Sequence, residues 1–190
     1  MNCIGKNVAT GAVMEVDFGA HIAAVRATTK AAGQYLAPGW VDVQVNGFAG
    51  VDYNSPDISH EEIARSIDVL YSTGVTRFYP TVITGSPEDM KGALANLARA
   101  KESLGEGEAM DGFHVEGPYI SPDDGPRGAH PKRWCRPPDP DEFRRLQDAA
   151  RGHIRLLAQA AEAGAIIFPP APAFYSKPQT IDDLVNGTVG

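Results

Sequence analysis

Between residues 40 and 150 the sequence alternates strand patterns with helix patterns, and this order restricts the fold more than any other feature. Residues 40–47, 76–84 and 112–117 have alternating or β-rich patterns that predict strands. Each is followed, directly or after a loop, by a segment with a helical pattern. Strands that alternate with helices form parallel β/α units, so we predict about three such units. An eight-stranded barrel built of these units takes ~250 residues, so three units make only part of one.

The predicted helices are marked by the residues that begin and end them. Ser59 and Glu62 have the spacing of a capping box, and Ser86 precedes a proline at the first helical position. Asp139 precedes a proline in the same way and predicts the third helix. Gly74 is expected to end the first helix, because glycine readily adopts the conformation that follows a helical C-terminus.

Residues 1–37 have a different pattern. Residues 14–18 and 22–25 predict short strands, and glycines separate them from their surroundings. Two short strands are too few to bury a hydrophobic core of their own. We therefore expect residues 1–37 to pack on other parts of the protein. The Ala37-Pro38-Gly39 segment marks the boundary of this N-terminal portion.

Composition excludes several classes of function. The formal net charge of −7 disfavours binding to nucleic acid, which needs a basic face. No apolar run approaches the ~18 residues of a membrane span, and the first residues lack the layout of a signal peptide. Cys3 and Cys135 lie far apart, so neither a zinc knuckle nor a disulfide framework is indicated. We therefore expect a cytoplasmic protein.

The first candidate site is the segment Phe113-His114-Val115-Glu116. His114 and Glu116 alternate with apolar residues, so they share the polar face of a strand that Gly117-Pro118 ends. In a barrel of parallel strands, this carboxyl end is where active-site groups lie. The triplet alone also fits a hydrogen-bonded pair on a solvated rim, and both interpretations stay open.

Polar residues also alternate along the predicted strand 40–47. Asp42, Gln44 and Asn46 lie on one face, and three valines lie on the other. Such a face needs hydrogen-bond partners if it is buried, as at the mouth of a barrel. An edge strand with one solvated face explains the pattern equally well.

Four ordered motifs resemble one known family, the N-acetylglucosamine-6-phosphate deacetylases. They are Leu36-Ala-Pro-Gly-Trp-Val-Asp-Val-Gln-Val-Asn-Gly47, Tyr79-Pro-Thr-Val-Ile-Thr84, Phe113-His-Val-Glu-Gly-Pro118 and Gly128-Ala-His-Pro131. The resemblance covers residues 8–156. It implies the fold of the amidohydrolase superfamily, a (β/α)8 TIM barrel beside a small β-sandwich. Residues 1–37 then correspond to part of the sandwich and residues 38–151 to a partial barrel.

The resemblance also implies a metal site. Glu116 matches the family's glutamate ligand to a divalent metal, for which we expect zinc. Gln44 and Asn46 stand where many amidohydrolases have a His-x-His pair, which implies one metal rather than two. The family's two histidine ligands and its catalytic aspartate come from later strands, so we expect no catalytic residue in this chain. His114 has no role that transfers from the family, and a structural role is expected for it.

The substrate that the resemblance implies is an amino-sugar phosphate. Ala129 and His130 match the loop that approaches it, and Gln44 and Asn46 border the same site. The reaction is metal-dependent hydrolysis of the acetamide, giving glucosamine 6-phosphate and acetate. We expect this chain to be inactive alone, because one carboxylate does not hold a catalytic zinc. A homo-oligomer is compatible with the resemblance.

Residues 152–190 depart from the deacetylase pattern and resemble the C-terminal part of a flavin prenyltransferase. This resemblance implies a short α/β tail of flavodoxin-like origin, and FMN as a cofactor under this alternative only. Tyr175 matches a tyrosine near the prenyl phosphate, and it is equally compatible with a loop aromatic packed on its own domain. The two resemblances meet at residues 152–157, so a joined and non-catalytic product is a third hypothesis.

Overall fold

The computed structural model describes residues 1–19 and 21–158 of the 190-residue chain. Contacts between residues divide the chain into two compact units, Met1–Gly39 and the part that begins at Trp40. The tail predicted to resemble a flavin prenyltransferase, including Tyr175, lies outside the described residues apart from its first seven positions.

The first unit is one four-stranded sheet in the order β3-β2-β1-β4. Its strands are β1 (Asn2–Asn7), β2 (Val13–Phe18), β3 (Ile22–Ala27) and β4 (Tyr35–Leu36). β1 and β3 run antiparallel to β2, and β4 pairs parallel to β1. The sequence predicted β2 and β3 but missed β1, because asparagine and glycine are uncommon in strands. Glycine fits at position 5 because a side chain there would collide with Leu36. A Cβ added to Gly5 would lie 2.7 Å from Leu36 Cγ.

The second unit is built on a parallel sheet whose strands are joined by helices. In chain order its elements are β5 (Trp40–Val45), β6 (Gly47–Phe48), β7 (Val51–Asp52), α1 (His60–Ser72), β8 (Val75–Ile83), α2 (Pro87–Ser103), β9 (Phe113–Glu116), α3 (Pro140–Ala149) and β10 (Ile154–Ala158). The parallel order is β10-β9-β8-β5, and β6 and β7 form a separate small hairpin. The predicted α/β class with parallel strands is confirmed, and β10 adds a fourth strand to the three predicted units.

One face of the parallel sheet is covered by the helices and forms the core. Phe78 and Val82 of β8 and Phe113 and Val115 of β9 are at most 1% exposed. They share one apolar cluster with residues of α1, α2 and α3, among them Ile63, Ile67, Leu70, Leu94, Leu97, Phe143 and Leu146. The alternating polar residues of the same strands therefore lie on the opposite face of the sheet.

The helices begin where their capping residues predict. The Ser59 hydroxyl accepts from the backbone N–H of Glu62, whose carboxylate accepts from the Ser59 N–H, so the capping box is formed. Asp139 Oδ1 accepts from two backbone N–H groups of the first turn of α3. Gly74 follows α1 with a φ of +89°. Among the helices of the described residues, none has the length and apolar character needed to cross a membrane.

Candidate functional site

Three polar side chains meet at the carboxyl ends of the parallel strands. Gln44 Nε2 donates a hydrogen bond of 2.8 Å to Glu116 Oε2. His130 Nε2 lies 3.6 Å from Glu116 Oε1. Gln44 is on β5, Glu116 ends β9, and His130 is on the loop after β9. We call these three residues the Glu116 cluster, which joins groups that are up to 86 positions apart in the sequence.

The end of β9 is shaped by a close approach between Gly117 and Thr84. Gly117 has a φ of +92°, a backbone conformation that residues other than glycine rarely adopt. A Cβ at this position would lie 1.9 Å from Thr84 Oγ1. Glycine is therefore required for two reasons. The first is the positive φ with which the chain turns directly after Glu116, and the second is the close approach of Thr84 to this turn.

Thr84 holds His130 beside Glu116. Its hydroxyl lies 2.9 Å from His130 Nδ1 and 3.3 Å from the backbone oxygen of Glu116, to which it is placed to donate. Thr84 is 2% exposed, so water does not compete strongly for these bonds. Arg127 Nη1 adds a 2.7 Å hydrogen bond to the backbone oxygen of His130. The imidazole is thus fixed at its Nδ1 edge, and its Nε2 edge faces the carboxylate.

Sequence reasoning did not single out Thr84 as a site residue. The signal was present, because Thr84 ends the Tyr79–Thr84 motif at the carboxyl end of β8, the same edge of the sheet where β9 ends. Parallel neighbouring strands bring their carboxyl ends together, so Thr84 and Glu116 are expected to lie close.

The loop that carries His130 is fastened at its far end by Arg136. Its guanidinium donates to both carboxylate oxygens of Glu142, at 2.9 and 2.7 Å, and to the backbone oxygen of Gly85 at 3.2 Å. Glu142 is 5% exposed and lies in the first turn of α3. A two-pronged pair of this kind fixes geometry as well as charge. The loop therefore has a rigid anchor that connects it to both α3 and the end of β8.

A second contact fastens the start of the same loop. The Tyr119 hydroxyl donates a 3.0 Å hydrogen bond to the backbone oxygen of Asp139. Burial, together with the nearby carboxylates of Glu142 and Asp139, raises the pKa of Tyr119 well above its usual range. The phenol therefore stays protonated and keeps donating at any physiological pH.

His114 joins two strands of the sheet. Its Nδ1 donates a 3.0 Å hydrogen bond to the backbone oxygen of Val43. Burial lowers the pKa of His114 below its usual value, and the Val43 bond and the Glu116 charge oppose that effect only in part. A neutral imidazole in this position connects β9 to β5, directly below the Glu116 cluster on the same face of β9.

The other residues expected at the site are placed differently. Asn46 follows β5, and its backbone oxygen accepts hydrogen bonds from the N–H of Tyr53 and from Asn54 Nδ2. These contacts tie it to the hairpin region. Ala129 lies exposed beside His130 on the loop. The structure thus brings Gln44 and His130 to Glu116, while the roles expected of Asn46 and Ala129 stay predictions.

A catalytic zinc takes three protein ligands, usually histidine, cysteine or carboxylate. The Glu116 cluster offers one carboxylate and one imidazole, with the Gln44 amide already bonded to the carboxylate. Within residues 1–19 and 21–158, no group of three or more His, Cys, Asp or Glu is placed to hold a metal ion. The described residues therefore do not fit a resident catalytic zinc on their own.

A parallel sheet with helices between its strands and polar side chains at its carboxyl edge defines an α/β protein of the kind that carries enzyme sites. Among curated proteins, the chain is 43% identical over 137 residues to an N-acetylglucosamine-6-phosphate deacetylase of Caenorhabditis elegans, covering 68% of this chain and 32% of that protein. A crystal structure of the deacetylase from Mycobacterium smegmatis matches with a TM-score of 0.68 and 26% identity, covering 84% of this chain and 43% of that one. No family model matches.

The chain therefore spans about a third of the length of the curated deacetylases it matches. A second similarity covers a short C-terminal segment, 66% identical over 38 residues to a flavin prenyltransferase of Salmonella typhimurium. That match accounts for 20% of each protein. Both resemblances drawn from the sequence motifs are confirmed.

Proposed function

We propose that this chain supplies one part of an N-acetylglucosamine-6-phosphate deacetylase site, which hydrolyses the acetamide to an amine and acetate. The observation that carries the proposal is the Glu116 cluster, placed at the carboxyl ends of parallel strands in a chain similar to these deacetylases. One similar structure, from Mycobacterium smegmatis, is described as a complex with N-acetyl-D-glucosamine-6-phosphate. An amino-sugar phosphate is therefore the substrate class we assign to this site.

We propose further that the second unit is part of a (β/α)8 barrel. The parallel order of its four strands and the helix-covered face of the sheet support this arrangement. In this proposal residues 1–37 are a portion of a β-sandwich and residues 38–151 are the barrel portion. The remaining segment, residues 152–190, contributes only β10 among its described residues.

Each residue of the Glu116 cluster has a role under this proposal. Glu116 is the carboxylate that this chain contributes toward a divalent metal, and the ligands that would complete the metal site are not among the described residues. Gln44 orients that carboxylate through its 2.8 Å hydrogen bond. His130 presents Nε2 to the same space and is positioned to contact the substrate.

A hybrid enzyme tests the proposal directly. Residues 8–156 of this chain would replace the matching segment of the Caenorhabditis elegans deacetylase, to which the chain is 43% identical over 137 residues. We expect the hybrid to release acetate from N-acetylglucosamine 6-phosphate. Glu116→Gln should reduce kcat/KM by about a hundredfold or more, because mutating residues that only orient metal ligands already costs about 10–100-fold.

The matched control is Glu61→Gln, which removes an exposed carboxylate outside the Glu116 cluster, in the first turn of α1. This variant should keep the activity of the hybrid. A folded hybrid that is inactive before any substitution, or that loses nothing on Glu116→Gln, would contradict the proposal.

A second candidate is flavin binding by residues 152–190, favoured by the 66% identity over 38 residues. The segment matches 20% of the prenyltransferase, and Tyr175 lies outside the described residues. The purified 190-residue protein would be mixed with FMN and dialysed. A retained flavin absorbance band would support this candidate, and a colourless protein would argue against it.

A further inference from the structure

The hydrogen bond between Gln44 and Glu116 crosses a whole strand of the parallel sheet. Gln44 is on β5 and Glu116 is on β9, and β8 lies between these two strands. Neighbouring strands lie about 4.8 Å apart, so β5 and β9 are roughly 10 Å from each other across the sheet. The 2.8 Å bond therefore depends on how closely the end of β5 is held to the end of β8. A widening of about 1 Å there would break the bond.

The backbone pairing of β5 with β8 stops short of this level. Its last pair is Val45 with Pro80, and proline has no N–H to donate. The Val45 N–H donates instead to the Thr81 hydroxyl, at 3.1 Å. Glu116 is in register with Ile83, three positions after Pro80. At the level of the Glu116 cluster, other bonds must therefore hold the end of β5 to the end of β8.

The side chain of Asn54 supplies such bonds. Its Oδ1 accepts a 2.7 Å hydrogen bond from the Ile83 N–H, and its Nδ2 donates to the backbone oxygen of Asn46 at 3.3 Å. Ile83 is the β8 residue beside Glu116, and Asn46 lies two positions after Gln44. One amide thus joins the two strand ends on which the Gln44–Glu116 bond depends.

Asp52 holds the Asn54 amide in this orientation. Asp52 Oδ1 accepts from the Asn54 backbone N–H at 2.9 Å and from Asn54 Nδ2 at 3.1 Å. The amide therefore has a donor, the Ile83 N–H, on its oxygen side and two acceptors on its nitrogen side. A side-chain amide satisfies this arrangement, whereas a carboxylate of the same shape would place an oxygen against both acceptors.

We propose that Asn54 is a positioning residue for the Glu116 cluster, because it holds the end of β5 at the distance from β8 at which Gln44 reaches Glu116. Its hydrogen bonds are to Asp52, Asn46 and the Ile83 N–H, so it acts on the cluster through the strand ends. Its effect on hydrolysis rests on the proposed function. Its effect on the Gln44–Glu116 bond does not depend on the reaction.

NMR of the isotope-labelled 190-residue protein tests the geometry. The side-chain amide signal of Gln44 is identified by its absence in Gln44→Leu. In the wild type one of its protons should lie downfield, because it donates to a carboxylate. Asn54→Ala should return this proton to the position of a free amide. It should also speed hydrogen exchange of the Ile83 N–H about tenfold relative to that of Val115 in the core, because one hydrogen bond is lost.

Asn54→Asp is a second variant that preserves the shape of the side chain. It keeps an acceptor for the Ile83 N–H but repels the Asn46 backbone oxygen and the Asp52 carboxylate. It should therefore release the Gln44 amide as Asn54→Ala does. Circular dichroism shows whether each variant remains folded.

Asn96→Ala is the matched control. The Asn96 side chain is also buried and donates a 2.7 Å hydrogen bond to a backbone oxygen, that of Ile58, but it lies in α2, which packs on the opposite face of the sheet. Its loss should lower stability and leave the Gln44 signal unchanged. A Gln44 signal that stays downfield in both Asn54 variants, or that moves equally in Asn96→Ala, would overturn the inference. A free-amide signal in the wild type would overturn it too.

Kinetics of the hybrid enzyme test the consequence for hydrolysis. Asn54→Ala should lower kcat about tenfold or more with little change in KM, since residues that orient metal ligands typically contribute about 10–100-fold. Asn96→Ala should keep both constants near those of the unsubstituted hybrid. A rise in KM with unchanged kcat would contradict the positioning role. An inactive unsubstituted hybrid would contradict the proposed function alone, because the NMR test uses the 190-residue protein without substrate.

Discussion

At the scale of single residues, Gly117 is a position of the site where an added side chain should be strongly destabilising. Gly117→Ala would combine a φ of +92° with a Cβ only 1.9 Å from Thr84 Oγ1. We expect a loss of about 2–4 kcal/mol in the free energy of unfolding, from backbone strain plus displacement of Thr84. Urea unfolding followed by circular dichroism measures it.

Gly125→Ala is a control for the backbone part of that effect. Gly125 has a similar φ of +98°, and nothing lies within 4 Å of its Cβ position. This variant should cost only about 1 kcal/mol. Equal losses for the two alanine variants would show that contact with Thr84 contributes nothing.

Thr84 supports a second prediction at the residue scale. Thr84→Val keeps the shape of the side chain but removes the hydroxyl that contacts His130 Nδ1 and the Glu116 backbone oxygen. We expect destabilisation of about 1–3 kcal/mol, because buried polar atoms lose a partner. Thr84→Ser keeps the hydroxyl and should retain the 2.9 Å contact. NMR of the imidazole nitrogens of His130 should change in the valine variant and stay near wild type in the serine variant; no change in either would contradict the assigned contact.

At the scale of elements, an ion-pair cluster joins the end of α2 to the start of β10. Glu102 accepts from His153 Nε2 at 3.2 Å and pairs with Arg151. These hydrogen bonds, that of His153 first and that of Arg151 second, lower the pKa of Glu102 below its usual 4.5. A lowered carboxyl pKa stabilises the folded state above the unfolded-state value, and the contribution is lost as pH falls through the folded-state pKa.

We therefore expect Glu102→Gln to lower the melting temperature at pH 7 and to differ less from wild type as pH falls below 4.5. Asp68→Asn, which removes an exposed carboxylate in the middle of α1, is the control for the loss of one charge. Thermal unfolding at several pH values provides the comparison. A difference between Glu102→Gln and wild type that is constant across pH would contradict the assignment.

The elements also show why some of the structure followed from sequence and some did not. Helix starts at Ser59, Ser86 and Asp139 depend on local hydrogen bonds, so their local signals were sufficient. Strand β1 depends on partners in β2 that are 7 to 15 positions away and carries no alternation of its own. The Gln44–Glu116 bond spans 72 positions. Pattern and resemblance each indicated Gln44 and Glu116 as site residues, but only the folded sheet shows that the two side chains are in contact.

At the scale of the whole molecule, two unrelated similarities follow one another in a single chain. The first similarity is to the deacetylases. The second similarity, to a flavin prenyltransferase, covers a C-terminal segment. Strand β10 begins within residues 152–157, where the two resemblances meet, and it pairs with β9 as a fourth parallel strand. The meeting point therefore completes an element of the sheet, so a joined chain is compatible with the described fold.

One hypothesis is that the join is an artefact of recombination or assembly. It predicts that the source cells contain no polypeptide that crosses this meeting point. Cleavage before aspartate gives a diagnostic peptide from Asp148 to Ile181, because no aspartate lies between Asp148 and Asp182. Mass spectrometry should then detect the deacetylase-like peptides upstream without this one. Detection of the 148–181 peptide in amounts equal to its upstream neighbours would reject the artefact and establish the joined chain as a real protein. In that case the hybrid-enzyme test applies to a molecule that cells make.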